Sequence, residues 1–144
     1  MQLVNLIGKP KSDDPEPLKK GYYLEPKFVL LETVYFDQGK PVFSLEMQEQ
    51  LHYASRFIRS YPDFPLVLEG HTDANGSKED NAKLSKQRAA TVMTYLKEVY
   101  HIPAKQMQLQ GLGESQPIAT NSTEAGRRTN RRVNIILVEK PSEN

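Results

Sequence analysis

Short apolar runs alternate with longer amphipathic stretches along this chain, and that alternation restricts its fold more than any other feature. Phe28–Phe36 is rich in β-branched and aromatic residues, which predicts a buried strand. Shorter strands are predicted at Leu66–Gly70, around Met107 and Leu109, and at Val133–Val138. Because the stretches between these strands carry apolar residues at helical spacing, strands and helices are expected to alternate.

Two long helices are predicted between the strands. The first covers roughly 44–60, where Ser44 can cap the N-terminus, and its apolar residues fall on one face: Met47, Leu51, Ala54 and Ile58. The second covers roughly 78–100 and follows a pair that resembles a capping box, Ser77 and Asp80. A short third helix is expected at Thr123–Arg128. The order β-α-β-α-β-(α)-β predicts an α/β fold, with a mixed four-stranded sheet and the two long helices packed on one face.

The length of 144 residues suits one compact domain. Four of the ten prolines fall in the first 26 residues, so 1–27 is interpreted as a Pro-rich leader or linker, 28–139 as the domain and 140–144 as a tail. The start has no basic region and too short an apolar stretch for a signal peptide. If the protein is exported, we expect this chain to be a piece of a longer one, with any membrane attachment in the missing parts.

Composition excludes several kinds of site. The absence of cysteine rules out disulfides, thiolate metal ligands and cysteine nucleophiles. The three histidines show no paired metal-binding spacing, so no metal site and no cofactor are expected. His71 is interpreted as a structural histidine that hydrogen-bonds its loop.

A cluster of four arginines near the C-terminus suggests nucleic-acid binding as an alternative: Arg127, Arg128, Arg131 and Arg132. The near-neutral net charge of +1 and the absence of interleaved aromatic residues argue against that alternative. We expect some of these arginines to help build a site and the others to be paired or solvated.

The second helix carries an arginine on its inward side. Five residues share one stripe of this helix: Asn81, Ser85, Arg88, Val92 and Val99. The later, apolar members are expected to face the core, which directs Arg88 towards the sheet. Because a lone buried guanidinium is very costly, Arg88 needs a carboxylate or a ligand.

Asp73 is the nearest candidate carboxylate, since it lies in the short loop between the second strand and the second helix. A facing carboxylate and guanidinium suit a zwitterion, with Asp73 taking an ammonium and Arg88 taking a carboxylate in bidentate fashion. The alternative is a plain ion pair between these residues that locks the loop to the helix. Periodicity does not decide between the two.

Four spaced blocks give the chain a specific resemblance to a known family. They are Gly70-His71-Thr72-Asp73; Asn81-x-x-Leu84-Ser85-x-x-Arg88-Ala89-x-x-Val92; Gly111-x-Gly113-Glu114-x-x-Pro117; and Asn121 with Gly126-Arg127-x-x-Asn130-Arg131-Arg132-Val133. Over roughly Phe28–Val138 the chain resembles the OmpA-like C-terminal peptidoglycan-binding family. One departure is Tyr100-His101-Ile102, which replaces the glycine often found after the second helix.

The resemblance implies an α/β domain, not an enzyme, that binds peptidoglycan through meso-diaminopimelate and anchors a larger envelope protein to the cell wall. It implies that Asp73 and Arg88 grip the zwitterionic end of diaminopimelate. The further contacts that it implies are Thr72, Asn81, Leu84, Phe36, Asp37 and Arg131. The expected location is the periplasm, in association with the outer membrane or envelope of a diderm bacterium, and the oligomeric state is left open.

A wall hydrolase is the competing function. Asp37, Glu69 and Asp73 supply carboxylates of the kind that glycan cleavage uses. Glu69, however, falls within a predicted strand, and no nucleophile, base and orienting group occur together.

Overall fold

A single mixed sheet organises the computed structural model, which describes residues 27–42 and 44–139. The strands are β1 (Lys27–Tyr35), β2 (Leu66–His71), β3 (Met107–Gly111) and β4 (Arg132–Glu139). The α-helices are α1 (Leu45–Ser60), α2 (Lys78–Tyr100) and α3 (Glu124–Asn130), with a short 3-10 turn at Ala104–Gln106. The predicted α/β class and element order are confirmed, with ends that differ by one or two residues. The leader before residue 27 and the tail at 140–144 lie outside the described residues.

The chain order of the strands differs from their order in the sheet, which is β1-β4-β2-β3. The pairs β1–β4 and β2–β4 are antiparallel, and β2–β3 is parallel. Tyr35 and His71 both pair with Arg132. The ends of β1, β2 and β3 and the beginning of β4 therefore meet at one edge of the sheet, which we call the site edge.

Both long helices bury apolar residues in one core with the strands. The core includes Leu51 and Ile58 of α1, Val92 and Leu96 of α2, and Ile135 of β4, and each of these side chains is fully buried. The expected inward position of Val99 is wrong, since 48% of this residue is exposed. Leu96 fills the inward position in that part of α2, and Val99 lies in the last turn.

Helix α2 approaches the sheet very closely at its N-terminal half. A Cβ atom on Gly70 of β2 would collide with the carbonyl oxygen of Ser85, and one on Gly111 of β3 would lie 2.9 Å from the backbone nitrogen of Lys86. Only glycine leaves room for this approach. These contacts fix the start of α2 above the site edge.

The helix ends follow the predicted chemistry. Ser44 accepts a hydrogen bond from the Met47 amide, and Ser77 accepts one from the Asp80 amide, as expected for N-caps. At the end of α2, His101 has the left-handed conformation (φ 59°, ψ 33°) that glycine usually adopts there. No helix in the described ranges is long and apolar enough to cross a membrane.

Candidate functional site

A polar pocket opens at the site edge, between the loop after β1, the loop after β2 and the first turns of α2. Its volume is about 240 Å³. It is lined by Gln38, Gly39, Asp73, Asn75, Gly76, Asn81, Leu84 and Arg88. The structure thus brings Asp73 and Arg88, the two residues of the zwitterion hypothesis, to one pocket, which we call the site pocket.

Arg88 is almost completely buried, with 1% of the residue exposed. Its guanidinium donates three hydrogen bonds, all to backbone carbonyls: Nε to Lys40 (3.1 Å), Nη1 to His71 (3.0 Å) and Nη2 to Asp37 (2.8 Å). The guanidinium carbon lies 5.3 Å from the centre of the Phe36 ring. Burial lowers the pKa of Arg88 to about 10, although the Asp73 carboxylate opposes that shift, so the side chain is a cation at neutral pH.

Asp73 forms its ion pair with a different arginine. Its Oδ2 accepts a hydrogen bond from Arg131 Nη1 at 2.9 Å, and its Oδ1 accepts one from the Asn75 amide at 3.1 Å. Within the described part of the chain, no ion pair joins Asp73 to Arg88. The alternative of a plain Asp73–Arg88 ion pair is therefore wrong, because Asp73 pairs with Arg131 instead.

Arg131 is held on three sides and is 4% exposed. Besides Asp73, it donates through Nε to the Phe36 carbonyl (3.2 Å) and through Nη2 to Glu124 Oε2 (2.8 Å). Burial alone would lower the pKa of Arg131, but the hydrogen bonds to Glu124 and Asp73 raise it overall. The sequence analysis missed Glu124, whose one sequence signal is its place in the first turn of α3, seven residues and about two helical turns before Arg131.

Two of the other expected contacts line the site pocket. Leu84 is half-buried at its wall. Asn81 is 4% exposed, and its Nδ2 lies within 3.2 Å of three acceptors: the carbonyls of Asp73 and Asn75 and the Glu114 carboxylate. Asn81 therefore holds the loop after β2 in place.

The remaining expected contacts are not part of the pocket lining but contact residues that are. Thr72 donates from Oγ1 to the Asp73 carbonyl (2.8 Å), and its amide donates to the Gly113 carbonyl (2.9 Å). Phe36 provides the ring beside Arg88, whereas Asp37 contributes its carbonyl and leaves its side chain exposed. Gln38, Gly39 and Asn75 also line the pocket and were not singled out from the sequence.

The other face of β2 carries a separate polar cluster. His71 Nε2 lies 3.0 Å from Glu69 Oε1, which also accepts from Asn134 Nδ2 (3.2 Å). His71 belongs to the strand and bonds a strand carboxylate, so the expectation that its side chain bonds the loop is wrong. Among the described residues, no group of three or more metal-ligating side chains occurs.

The carboxylates proposed for glycan cleavage do not form an acid–base pair. The hydrogen bond from His71 lowers the pKa of Glu69, whereas a general acid at neutral pH needs a raised one. Asp73 is held in an ion pair with Arg131. Glu69 therefore does not have the environment of a general acid, and the Asp73 carboxylate is already paired with a guanidinium.

The basic cluster is not a continuous surface patch. Arg131 and Arg132 are buried, at 4% and 3% exposure. Arg127 and Arg128 are more exposed, and each lies within 3.8 Å of a Glu124 carboxylate oxygen. The four arginines therefore do not form the exposed basic surface that nucleic-acid binding would require.

Comparison with known proteins assigns this chain and its fold to a family. The sequence profile of the OmpA family matches residues 35–131, and the chain belongs to this family. It is 49% identical over 111 residues to the outer-membrane lipoprotein YfiB of Pseudomonas aeruginosa, covering 77% of this chain and 66% of that protein. Other curated relatives are much longer, and the chain spans only 28–29% of the outer-membrane proteins that it matches over 100 residues.

Solved structures with the same fold include two proteins of the cell envelope. The peptidoglycan-associated lipoprotein of Burkholderia pseudomallei superposes with a TM-score of 0.69 at 28% identity, covering 73% of this chain and 88% of that one. The cell wall anchor of the T6SS of Pseudomonas aeruginosa superposes with a TM-score of 0.65 at 25% identity, covering 81% and 83%. These relatives agree with the expected location at the bacterial cell envelope.

Proposed function

We propose that this domain binds peptidoglycan non-covalently, by holding the zwitterionic end of meso-diaminopimelate in the site pocket, and that it anchors a larger envelope protein to the cell wall. The relatives named as peptidoglycan-associated and as a cell wall anchor support the general function. The observation that carries the proposal is a buried guanidinium, Arg88, which lines the pocket and has no carboxylate partner among the residues that the structure describes.

The donors of Arg88 fit a ligand carboxylate. A guanidinium has five N–H groups, and three of those on Arg88 are used by backbone carbonyls. The unused hydrogens lie on Nη1 and Nη2, so a carboxylate in the pocket can accept from both nitrogens. The carboxylate would also supply the counter-charge that the three carbonyls do not provide.

The Asp73 carboxylate fits the ligand ammonium. An ionised carboxylate has about four acceptor positions, and Arg131 and the Asn75 amide occupy two of them. The ammonium would therefore share Asp73 with Arg131. Leu84, half-buried in the same pocket, would pack against the methylene groups of the ligand.

Binding of small molecules tests the zwitterion directly. The domain is titrated with meso-diaminopimelate, with L-lysine, which lacks the side-chain carboxylate, and with amidated diaminopimelate. Loss of one charge-assisted pair should weaken binding roughly tenfold to a hundredfold. Equal affinity for lysine and diaminopimelate would overturn the zwitterion assignment.

Pull-down with purified sacculi tests the anchoring function. Asp73→Asn and Arg88→Lys should each lose most of the binding to sacculi. The first substitution removes the negative charge that would bind the ammonium, and the second removes the planar guanidinium that would bind the carboxylate through two nitrogens. Gln87→Ala, on an exposed neighbouring position of α2, is the matched control and should bind like the original chain. If both pocket variants still bind sacculi, the site is wrong, and release of soluble fragments from the sacculi would indicate a hydrolase instead.

A further inference from the structure

Glu124 lies outside the site pocket but is connected to it through one buried side chain. Its Oε2 accepts from Arg131 Nη2 at 2.8 Å, and Arg131 Nη1 donates to Asp73 at 2.9 Å. The side chain of Arg131 is 4% exposed, whereas that of Glu124 is 47% exposed. A chain of charge-assisted bonds therefore runs from the protein surface to the carboxylate in the pocket.

The position of Glu124 is fixed by helix α3. Thr123 caps this helix, with its Oγ1 accepting from the Gly126 amide at 3.0 Å. Gly126 packs directly against the backbone of Thr120, where a Cβ atom would collide. Glu124 also contacts Arg127 (3.2 Å), and its bond to Arg131 is the main reason that the pKa of Glu124 is lowered.

Glu124 adds a second negative charge to the group formed by Arg88, Arg131 and Asp73. Arg88 and Arg131 contribute two positive charges, and Asp73 contributes one negative charge. Without Glu124, Asp73 would be the one carboxylate bound to Arg131 among the described residues, and it would be a poorer acceptor for a further cation. With Glu124, Arg131 divides its hydrogen bonds between two carboxylates, which makes Asp73 a better acceptor for an ammonium that shares it with Arg131.

We propose that Glu124 is a positioning residue for this pocket: by binding Arg131 from the surface, it holds Asp73 in the orientation that a ligand ammonium requires. This inference rests on the proposed function for the ligand itself. Its structural part, the effect of Glu124 on Asp73, does not depend on any ligand.

Three variants separate charge from helix stability. Glu124→Gln keeps the shape of the side chain and removes its charge. Glu124→Asp keeps the charge. Glu46→Gln is the matched control, because Glu46 is likewise an exposed acid in the first turn of a helix, α1, and none of its contacts involve Arg131.

Two measurements are made on each variant. The first is the affinity for meso-diaminopimelate, which should fall roughly three- to tenfold in Glu124→Gln and stay within about twofold of the original in Glu124→Asp and Glu46→Gln. The second is the NMR signal of the Asn75 amide without ligand, because this amide donates to Asp73 Oδ1. That signal should shift in Glu124→Gln and not in Glu46→Gln.

The outcomes distinguish the two proposals. Unchanged affinity in Glu124→Gln, or an equal loss in Glu124→Asp, would overturn the positioning role while leaving the proposed ligand intact. If the original chain fails to bind meso-diaminopimelate, the proposed ligand is wrong, and the Asn75 signal still decides whether Glu124 positions Asp73. An unshifted Asn75 signal in Glu124→Gln overturns the positioning role in either case.

Discussion

The two halves of helix α2 use the same inward stripe for different purposes. In the C-terminal half, Ala89, Val92 and Leu96 are fully buried against the apolar core. In the N-terminal half, the buried positions are polar or charged: Asn81, Ser85 and Arg88. The change from apolar to polar falls where the helix passes from the interior of the sheet to the site edge.

This difference shows how one helix contributes both to the apolar core and to the lining of the site pocket. The apolar half gains free energy from burial and requires no special partners. The buried donors of the polar half need hydrogen-bond acceptors, and Arg88 finds three backbone carbonyls, two in the loop after β1 and one at the end of β2. Substitutions in the two halves should therefore separate stability from binding.

Gly70→Ala should cause the largest loss of stability, because it disturbs the close contact between β2 and the polar half of α2. The added Cβ would collide with the Ser85 carbonyl, which belongs to the helix backbone and cannot rotate away. We expect a loss of roughly 3–5 kcal/mol in the free energy of unfolding. Chemical denaturation measures this loss, and a loss below about 1 kcal/mol would show that α2 can shift without penalty.

Leu96→Ala should affect stability alone. It truncates a fully buried side chain in the apolar half, which should cost about 2–4 kcal/mol in the free energy of unfolding. Binding of meso-diaminopimelate by the folded fraction should remain unchanged, since Leu96 lies about two turns beyond Arg88. A matching loss of affinity would mean that the two halves are not separable.

Glu69, in the separate polar cluster on the other face of β2, should make a smaller, acid-dependent contribution to the free energy of unfolding. Its pKa in the folded protein is lowered below 4.5, chiefly by the hydrogen bond with His71. The stabilisation is therefore fully present above pH 4.5 and is lost as the pH falls through the lowered value. In Glu69→Gln, the free energy of unfolding should fall by about 1 kcal/mol less than in the original chain when the pH is lowered from 7 to 3. Denaturation at pH values between 3 and 7 measures this difference. An unchanged pH profile would contradict this prediction.

His101→Gly should have the smallest effect and should act at the far end of the apolar half. His101 ends α2 with φ 59°, a conformation that is strained for a side chain with a Cβ atom. Glycine removes that strain but adds freedom to the unfolded chain, so we expect a net gain of roughly 0.5 kcal/mol. Thermal denaturation measures the gain, and ligand affinity should not change.

Local patterns in the sequence were sufficient to predict the elements of the fold and the inward direction of Arg88. The N-caps at Ser44 and Ser77 and the apolar spacing along α1 are read from neighbouring residues, and all of these are confirmed. Val99 was misplaced because periodicity does not show where a helix extends past the core it covers.

The partners of the charged residues could not be predicted from the same patterns. Asp73 and Arg131 are 58 residues apart in the chain, and only the pairing of β4 between β1 and β2 brings them together. The carbonyls that bind Arg88 carry no side-chain signature at all. Local spacing therefore predicted that Asp73 and Arg88 lie near each other, whereas the long-range topology determined their contacts.

The pairing of Lys27 with Glu139 has a mechanical consequence. The chain enters and leaves the domain at the sheet edge opposite the site pocket, and β1, with nine residues, spans about 30 Å between the two edges. If the wall holds the pocket while the rest of the protein pulls on the residues before Lys27, the force runs along the axis of β1. The hydrogen bonds between β1 and β4 would then be loaded together in shear, rather than opened one after another from a free end.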